Sequence, residues 1–273
     1  RNVQIYLFLL FSIDMTIPLD LTPLSQLELN QEHILAIKRN DLLPLITDPH
    51  RLNHYADHLV QAQSVLLNGV DPKLNQQLSE VITQIVQQLS RSKKYLGGRK
   101  FNALQKWLGI DVEYDAGQVK YVKDLDRLIN EANHLSQKLQ VEIQKSQSRL
   151  QQALGLREQM AAYIHAADEF LKEYPQFSKQ QQVLDHFVER LSKKINTLQT
   201  LQASNDIAMK QMQLSQHLSF SLLDRFKEAQ QVLIPAWRYH LEQSRESNSS
   251  KTIEQLDKSR EDLIQNLKKS LQK

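Results

Sequence analysis

The sequence of 273 residues contains no cysteine. This absence excludes disulfide frameworks, thiolate metal sites and cysteine nucleophiles, and it fits a reducing compartment. Glycine and proline are also scarce, with 6 and 7 residues, whereas glutamine, leucine, lysine, glutamate and serine dominate. Such a composition is typical of helices with solvated polar faces. Aromatic residues make up only 7% of the chain, which favours a thin core over a thick globular one.

A large excess of charge of either sign is also absent, since the formal net charge is +3. The surface as a whole therefore gives no reason to expect a nucleic-acid partner. The sequence lacks a phosphate-binding loop, a dinucleotide fingerprint, a nucleophile elbow and the HExxH motif of zinc proteases. Acidic and basic residues alternate as they do on exposed helices. We therefore expect a protein that is not an enzyme and that needs no cofactor.

Residues 1–14 differ in character from the rest of the chain. Their apolar run, Ile5 to Phe11, is much shorter than the roughly 20 residues of a membrane span. It has a single basic residue before it and no small-residue cleavage site after it. Because Met15 reads naturally as a translation start, we interpret residues 1–14 as upstream sequence or a non-native leader. A truncated membrane-targeting segment is the alternative.

Residues 15–89 are predicted to form an N-terminal helical region that ends in a helical hairpin. Asn30 is expected to cap a short first helix. A second helix should run from Asp48 to Gly69, because an N-cap oxygen followed by proline opens a helix and Asn-Gly closes one. The third helix begins at Pro72 and presents leucine, valine and isoleucine on one side. These last two helices are expected to pair.

Residues 90–118 interrupt this pattern with a basic and aromatic connector. Its basic groups would attract anionic lipid, and its aromatic rings suit the headgroup boundary of a membrane. The plainer interpretation is a connector whose aromatic side packs on the end of the bundle, because the amphipathic piece is too short for a stable surface anchor. The candidate membrane or anion contacts are Lys93, Lys94, Arg99, Lys100, Phe101 and Trp107.

The remainder is predicted to be a long helical hairpin over 119–245 and a C-terminal helix over 246–273. Apolar residues recur in steps of three and four over 119–174 and again over 178–242. The short turn at Pro175 forces these two helices to be antiparallel. The fold class expected is all-α: an elongated, coiled-coil-like antiparallel helical bundle with a smaller N-terminal helical hairpin.

The second long helix has two irregular stretches. Between residues 201 and 212 the apolar stripe loses its phase, and Gln202 and Asn205 fall where apolar residues were due. Polar groups there either pair across the bundle or face solvent. From Leu214 to Trp237 the apolar spacing lengthens towards four, which predicts a repeat nearer eleven residues than seven and a straight or slightly right-handed packing.

Three histidines, His50, His54 and His58, lie at i, i+4 and i+8 of the predicted second helix. Adjacent pairs have the spacing with which two imidazoles can share one metal ion. However, the helical wheel places them opposite the apolar face, and no acid-rich segment would complete the ligand set. We therefore interpret them as a solvated polar face and predict no metal site, with the histidine row as the weak candidate.

A proline lies near the end of the second long helix. Pro235 removes a backbone hydrogen bond to the Gln231 carbonyl and predicts a kink. Such a kink leaves space that an indole fills, so packing is the favoured interpretation of Trp237. The alternative is a partner-binding motif, and its residues would be Ile234, Pro235, Trp237 and Arg238.

The segments Ile-His-Ala-Ala-Asp-Glu-Phe-Leu (164–171), Phe-Val-Glu-Arg-Leu (187–191) and Ile-Pro-Ala-Trp (234–237) together resemble the toxic-anion (tellurite) resistance family, TelA/KlaA. The resemblance extends from about His58 to the C-terminus. In the family, a segment that ends in Ile-Pro-x-Trp is among the most recognisable, and Arg238 here replaces the lysine that often follows.

The resemblance implies a bacterial protein of stress resistance, located in the cytoplasm or peripherally at the inner membrane, with no established enzymatic mechanism and no catalytic residues. We expect it to act through contacts with other proteins. A scaffold or membrane-remodelling protein that contacts anionic membrane is the alternative, and a metal or oxyanion binder is a weaker one. Homo-oligomerisation is left open.

Overall fold

A computed structural model of the chain describes residues 21–96, 110–174, 181–246 and 250–272. The regular structure within these ranges is helical, which confirms the all-α prediction. The α-helices are α1 (Gln31–Ile37), α2 (Pro49–Asn53), α3 (Asp57–Ser64), α4 (Pro72–Leu96), α5 (Ile110–Glu173), α6 (Gln181–Glu228), α7 (Ile234–Glu246) and α8 (Ser250–Leu271). Shorter pieces are the 3₁₀ turns Leu24–Gln26 and Leu43–Ile46 and the π-helical turns Lys38–Leu42 and Ala229–Leu233.

The chain divides into two compact units that interleave in sequence. The first unit combines residues 1–69 with 145–216, and the second combines residues 70–144 with 217–273. Each long helix, α5 and α6, therefore contributes one part to each unit. The predicted domain boundaries follow the order of the sequence, so they do not include this interleaving.

In the first unit, α5 and α6 are antiparallel and the short N-terminal helices pack on them. Arg157 of α5 meets Asp206 of α6, while Phe170 meets Phe187, so residue numbers rise along one helix as they fall along the other. The core joins α1, α2, α5 and α6 around buried aliphatic side chains, among them Ile34, Leu42, Leu52, Met160, Leu191 and Leu198.

In the second unit the same two helices are again antiparallel, and α4, α7 and α8 complete the bundle. Gln140 of α5 accepts a hydrogen bond from Lys227 of α6 at 2.9 Å. Helix α8 packs against α4, α7 and the preceding π-helical turn. The largest fully buried side chains of this unit include Trp237, Phe226, Leu78, Ile82, Ile85, Leu89 and Leu125.

The predicted helix starts in the N-terminal region are confirmed by their caps. The Asn30 side chain accepts hydrogen bonds from the backbone N–H groups of Glu32 and His33. The Asp48 side chain does the same for His50 and Arg51, with Pro49 in the first turn. These side chains satisfy N–H groups that have no partner within a helix, which is why they specify where each helix begins.

The predicted single helix from Asp48 to Gly69 is wrong, because the chain breaks between α2 and α3. Ala56 lies there in the left-handed region, with φ of 60°. Two contacts with the long helices hold the break: the Tyr55 hydroxyl donates to the Tyr163 carbonyl at 2.7 Å, and Asp57 pairs with Lys194 at 2.6 Å. Both contacts are remote in sequence, so helical periodicity does not reveal them.

Helix α6 also corrects the predicted change of repeat. Leu214 and Leu218 are 59% and 44% exposed, so they do not continue the core stripe. Most buried positions up to Phe226 instead keep the seven-residue spacing of a coiled coil, and polar residues occupy some of them. These positions are Leu191, Ile195, Leu198, Gln202, Met209, Met212, Gln216, Ser219, Leu223 and Phe226. From Leu222 onward the predicted stripe is buried at Leu222, Phe226, Ala229 and Trp237.

The long helix α5 begins at Ile110, earlier than the predicted start at Val119. Most apolar residues of its predicted stripe are buried, namely Leu125, Ile129, Ala132, Leu139, Ile143, Leu150, Met160 and Ile164, whereas Val122 and Leu171 are half-buried. The helix also continues through Gly155, where a Cβ would meet no atom within 4 Å. This glycine therefore marks neither a break nor a close approach.

Candidate functional site

The Ile-Pro-Ala-Trp segment opens α7 directly after the π-helical turn Ala229–Leu233. There the Ile234 N–H bonds to the Ala229 carbonyl, five residues back instead of four. Pro235 has no N–H group, so the Gln231 carbonyl cannot receive the usual helical hydrogen bond. The irregularity predicted at the proline thus takes the form of a widened turn on its N-terminal side. Such turns are frequent at functional sites.

One face of this segment belongs to the core of the second unit. Ile234, Trp237 and Leu241 lie at i, i+3 and i+7 and are 4%, 1% and 4% exposed. The Trp237 indole Nε1 is buried without a hydrogen-bond partner in the part of the chain that the structure describes. Ile234 and Trp237 are therefore packing residues and do not themselves offer a surface to a partner.

The opposite face of the same segment is exposed and apolar. Val232, Pro235 and Tyr239 also follow a spacing of i, i+3 and i+7, which places them on one side of the helix. Val232 and Tyr239 are 59% and 57% exposed, and Pro235 is exposed as well. We call this surface the motif face. The Gln231 carbonyl, which cannot accept a hydrogen bond from residue 235, belongs to an exposed residue beside it.

Arg238 ties the segment to the neighbouring long helix. Its guanidinium Nη2 lies 2.6 Å from Asp126 Oδ1, and both side chains are more than two-fifths exposed. An ion pair so open to solvent contributes at most about 1 kcal/mol. Of the predicted motif residues, Pro235 lies on the motif face, Arg238 is exposed beside it, and Ile234 and Trp237 lie beneath.

The other two segments of the resemblance meet in the first unit. Phe170 of the 164–171 segment contacts Phe187 of the 187–191 segment with ring centroids 6.2 Å apart, and Tyr174 joins them at 5.9 and 5.0 Å. The buried residues of the two segments are Ile164, Ala166, Ala167, Phe170, Phe187 and Leu191. These segments therefore build the hydrophobic core.

Their polar side carries an ion-pair cluster around Lys38, which is almost buried. The ammonium lies 2.5 Å from Glu169 and 2.9 Å from Glu173. Burial would lower the pKa of Lys38, but hydrogen bonds to the two glutamates outweigh it and the pKa is raised. The hydrogen bond from Lys38 lowers the pKa of Glu169. This cluster fixes the turn after α1 onto α5.

The polar residues at core positions of α6 form a second network, which sequence reasoning located only in part. Arg157 donates from Nε and Nη2 to the two carboxylate oxygens of Asp206, both at 2.9 Å. Gln202 donates to Asp206 at 2.6 Å, and Asn205 donates to Gln63 at 2.8 Å. Of the two alternatives for this stretch, the one in which polar groups pair across the bundle is confirmed.

The histidine row is not continuous, because the break between α2 and α3 separates its members. His54 lies outside both helices, and all three rings are exposed. His54 Nδ1 lies 3.0 Å from Asp57, whereas His58 packs edge-on against the Tyr163 ring. Among the described residues, no group of three or more histidine and acidic side chains could hold a metal ion.

The central part of the basic and aromatic connector, residues 97–109, lies outside the described residues. Lys93 and Lys94 belong to the last turns of α4, while Arg99, Lys100, Phe101 and Trp107 fall in the undescribed stretch 97–109. Its membrane interpretation stays a prediction. Within the described part of the chain, no helix is sufficiently long and apolar to span a membrane.

The sequence analysis does not predict the motif face, because it concentrates on Trp237. The sequence does contain a pattern that indicates it: one helix carries two apolar triplets, Ile234-Trp237-Leu241 and Val232-Pro235-Tyr239. A helix that is apolar on two opposite sides is predicted to have two partners.

Among curated proteins, the chain is similar to Protein KlaA of Escherichia coli. The two sequences are 30% identical over 215 residues, a match that covers 76% of this chain and 82% of KlaA. No family model matches the chain. No solved structure matches it either.

Proposed function

The chain belongs to the TelA/KlaA family, and from this membership we propose that it is a bacterial protein of resistance to tellurite and related toxic anions. We propose further that it acts in the cytoplasm, without catalysis, by binding another protein. Family membership supports the resistance role, and the geometry of α7 supports the mode of action.

The motif face is the observation that carries this proposal. Exposed apolar side chains on soluble proteins are common when scattered singly, but three at i, i+3 and i+7 present a continuous strip. This strip lies on the exposed side of the Ile-Pro-Ala-Trp segment, which is among the most recognisable segments of the family. The buried triplet and the π-helical turn fix its position, so that the strip is presented on a rigid element.

The chemistry of the motif face defines the partner. Val232 and Pro235 suit aliphatic side chains, and the exposed ring of Tyr239 offers an apolar surface with a polar tip. We therefore propose a protein partner that presents an apolar helix or loop.

Growth on tellurite tests the proposal. Deletion of the gene in its own host should lower the tellurite concentration that permits growth, and the wild-type gene should restore it. A Val232→Ser, Tyr239→Ser variant should fail to restore growth, because the partner contact is lost while the core triplet remains. The matched control is Val119→Ser, Val141→Ser, which removes two exposed apolar side chains of the same unit that are 62% and 49% exposed.

The outcomes separate the two parts of the proposal. Unchanged tellurite sensitivity after deletion would reject the resistance role. Sensitisation by deletion combined with full restoration by the Val232→Ser, Tyr239→Ser variant would keep the role and reject the motif face as its surface. Thermal unfolding of each purified variant checks that neither double change alters the fold.

A further inference from the structure

Two polar contacts join the long helices α5 and α6 inside the first unit. Arg157 of α5 donates to both carboxylate oxygens of Asp206 on α6 at 2.9 Å, and the Gln216 amide of α6 donates to the Ser146 hydroxyl of α5 at 2.8 Å. Ser146, Arg157 and Gln216 are 0%, 4% and 2% exposed. We call these two contacts the polar pairs. Their spacing along the two helices is nearly equal, so both fit one antiparallel alignment.

Stability alone does not account for polar residues at these positions. A buried ion pair often contributes no more to stability than well-packed apolar residues of similar volume. Gln202 is fully buried and donates to Asp206, yet its Oε1 has no hydrogen-bond partner within the part of the chain that the structure describes. On the same stretch of α6, Ile207 and Leu214 are 60% and 59% exposed. Polar side chains therefore lie inside this stretch while apolar ones lie outside.

Apolar contacts alone do not define the alignment of the two helices. Most buried positions recur every seven residues, so a shift of one heptad, about 10.5 Å along the axis, brings apolar side chains opposite other apolar side chains. Ala153 and Met209 share a buried cluster. After a shift in one direction Met209 would face Met160, which is buried as well.

The polar pairs do distinguish the alignments. The same shift would place the Asp206 carboxylate opposite Ile164, and a shift in the other direction would place it opposite Leu150. Both of these residues are buried and apolar, so the carboxylate would lose its guanidinium donors. An ionised group buried without a partner is strongly unfavourable. Only the observed alignment satisfies Asp206 and Arg157 together.

We propose that the polar pairs, together with Gln202, are a device that holds α5 and α6 of the first unit in one register. A single polar residue at a core position has this effect in coiled coils, where it lowers stability and excludes other alignments. This role is separate from the motif face, which belongs to the second unit. The competing explanation is that contacts of the short N-terminal helices with α5 and α6, such as Asp57 with Lys194, fix the register by themselves.

The distance between two nitroxide labels, measured by pulsed electron paramagnetic resonance, tests the proposal. Because the sequence has no cysteine, Gln159→Cys and Gln211→Cys label two exposed positions of the first unit. In the observed alignment Gln159 lies opposite Ser204, so the labels are offset by one heptad. A shift of one heptad changes that offset by about 10.5 Å along the axis. The labelled chain without further changes should give one distance.

The decisive variant replaces the polar layer with apolar residues and leaves the contacts of the N-terminal helices in place. It should remain helical by circular dichroism, unfold at a urea concentration no lower than the wild type, and show a second distance. A smaller variant that retains the Ser146–Gln216 pair should show the second distance in a smaller fraction of molecules. The larger variant carries Ser146→Ala, Arg157→Leu, Gln202→Leu, Asp206→Leu and Gln216→Leu, and the smaller one carries the three changes at 157, 202 and 206.

The matched control removes a buried polar contact of the same unit that does not join the two long helices. Asn205 of α6 donates to Gln63 of α3 at 2.8 Å. A Gln63→Leu, Asn205→Leu variant should therefore keep the single distance of the wild type.

Three results would overturn the proposal. A single wild-type distance in both apolar-layer variants would show that the N-terminal helices fix the register. Loss of helicity or a lower urea midpoint in those variants would show that the polar layer serves stability. A second distance of equal amplitude in the Gln63→Leu, Asn205→Leu control would show that any lost polar contact loosens the alignment.

Discussion

At the scale of single residues, the most informative side chain is Arg157, which is 4% exposed and joins three parts of the first unit. It donates to both oxygens of Asp206 on α6 and to the carbonyl of Thr22. Because the planar guanidinium is paired and hydrogen-bonded, these contacts offset much of the free-energy cost of burying its charge. A residue so placed fixes one alignment of α5 against α6.

We predict that Arg157→Met lowers the free energy of unfolding by about 2–4 kcal/mol, because it removes both guanidinium hydrogen bonds from the Asp206 carboxylate and the donor from the Thr22 carbonyl. Urea denaturation measures the change. Lys193→Met is the control, since its pair with Glu189 is largely exposed and should contribute little to stability. Equal losses in the two variants would contradict a structural role for Arg157.

Asp57 makes the stability of the first unit depend on pH. Partial burial works to raise the pKa of Asp57, but hydrogen bonds from Lys194 and His54 outweigh it, and the pKa lies below its usual 3.8. Because the pKa of Asp57 is lower in the folded than in the unfolded protein, the ionised carboxylate stabilises the fold at pH values above its unfolded-state pKa. This stabilisation is lost as the pH falls through the folded-state pKa.

We therefore predict that the wild type loses stability below about pH 4 and that Lys194→Gln loses less over the same range, since the contact that lowers the pKa is gone. Urea midpoints between pH 5 and pH 3 give the comparison. Lys210→Gln, an exposed change on the same helix, should follow the wild type. A Lys194→Gln profile parallel to that of the wild type would contradict the assignment.

At the scale of elements, the sequence predicts helix starts and the long antiparallel pair well, because caps and apolar stripes are local signals. It fails at α2 and α3, where contacts of Tyr55 and Asp57 with remote residues outweigh helical continuity. It also fails along α6, because Gln202, Gln216 and Ser219 occupy core positions. An apolar search skips such residues. Gln216 donates across the bundle to Ser146, and Ser219 accepts from Asn75, whereas Gln202 bonds to Asp206 on its own helix.

The π-helical turn before α7 leads to a prediction about Pro235. Pro235→Ala returns an N–H group to the helix, so we expect the free energy of unfolding to rise by about 1–3 kcal/mol. Urea denaturation checks it. The control Pro72→Ala, at the first position of α4, should leave stability unchanged or slightly lower, because proline is favoured there. A destabilised Pro235→Ala protein would show that the proline relieves the turn and does not cause it.

At the scale of the whole molecule, the chain is an all-α member of the TelA/KlaA family whose two compact units share its two long helices. The segments that carried the family resemblance lie in both units. Two of them are core of the first unit, while the third has one face in the core of the second unit and the other exposed. The resemblance therefore predicted the family, whereas the exposed surface needed the side-chain burial that only the structure supplies.

The central claim is that the protein works by binding a partner through the motif face, and site-specific crosslinking in living cells tests it most directly. A photoreactive benzoylphenylalanine in place of Tyr239 should yield a discrete adduct with one protein, and Val232→Ser should abolish that adduct. The same probe in place of Val141, which is exposed on the same unit, should yield none. No adduct from position 239, or an equal adduct from position 141, would contradict the account.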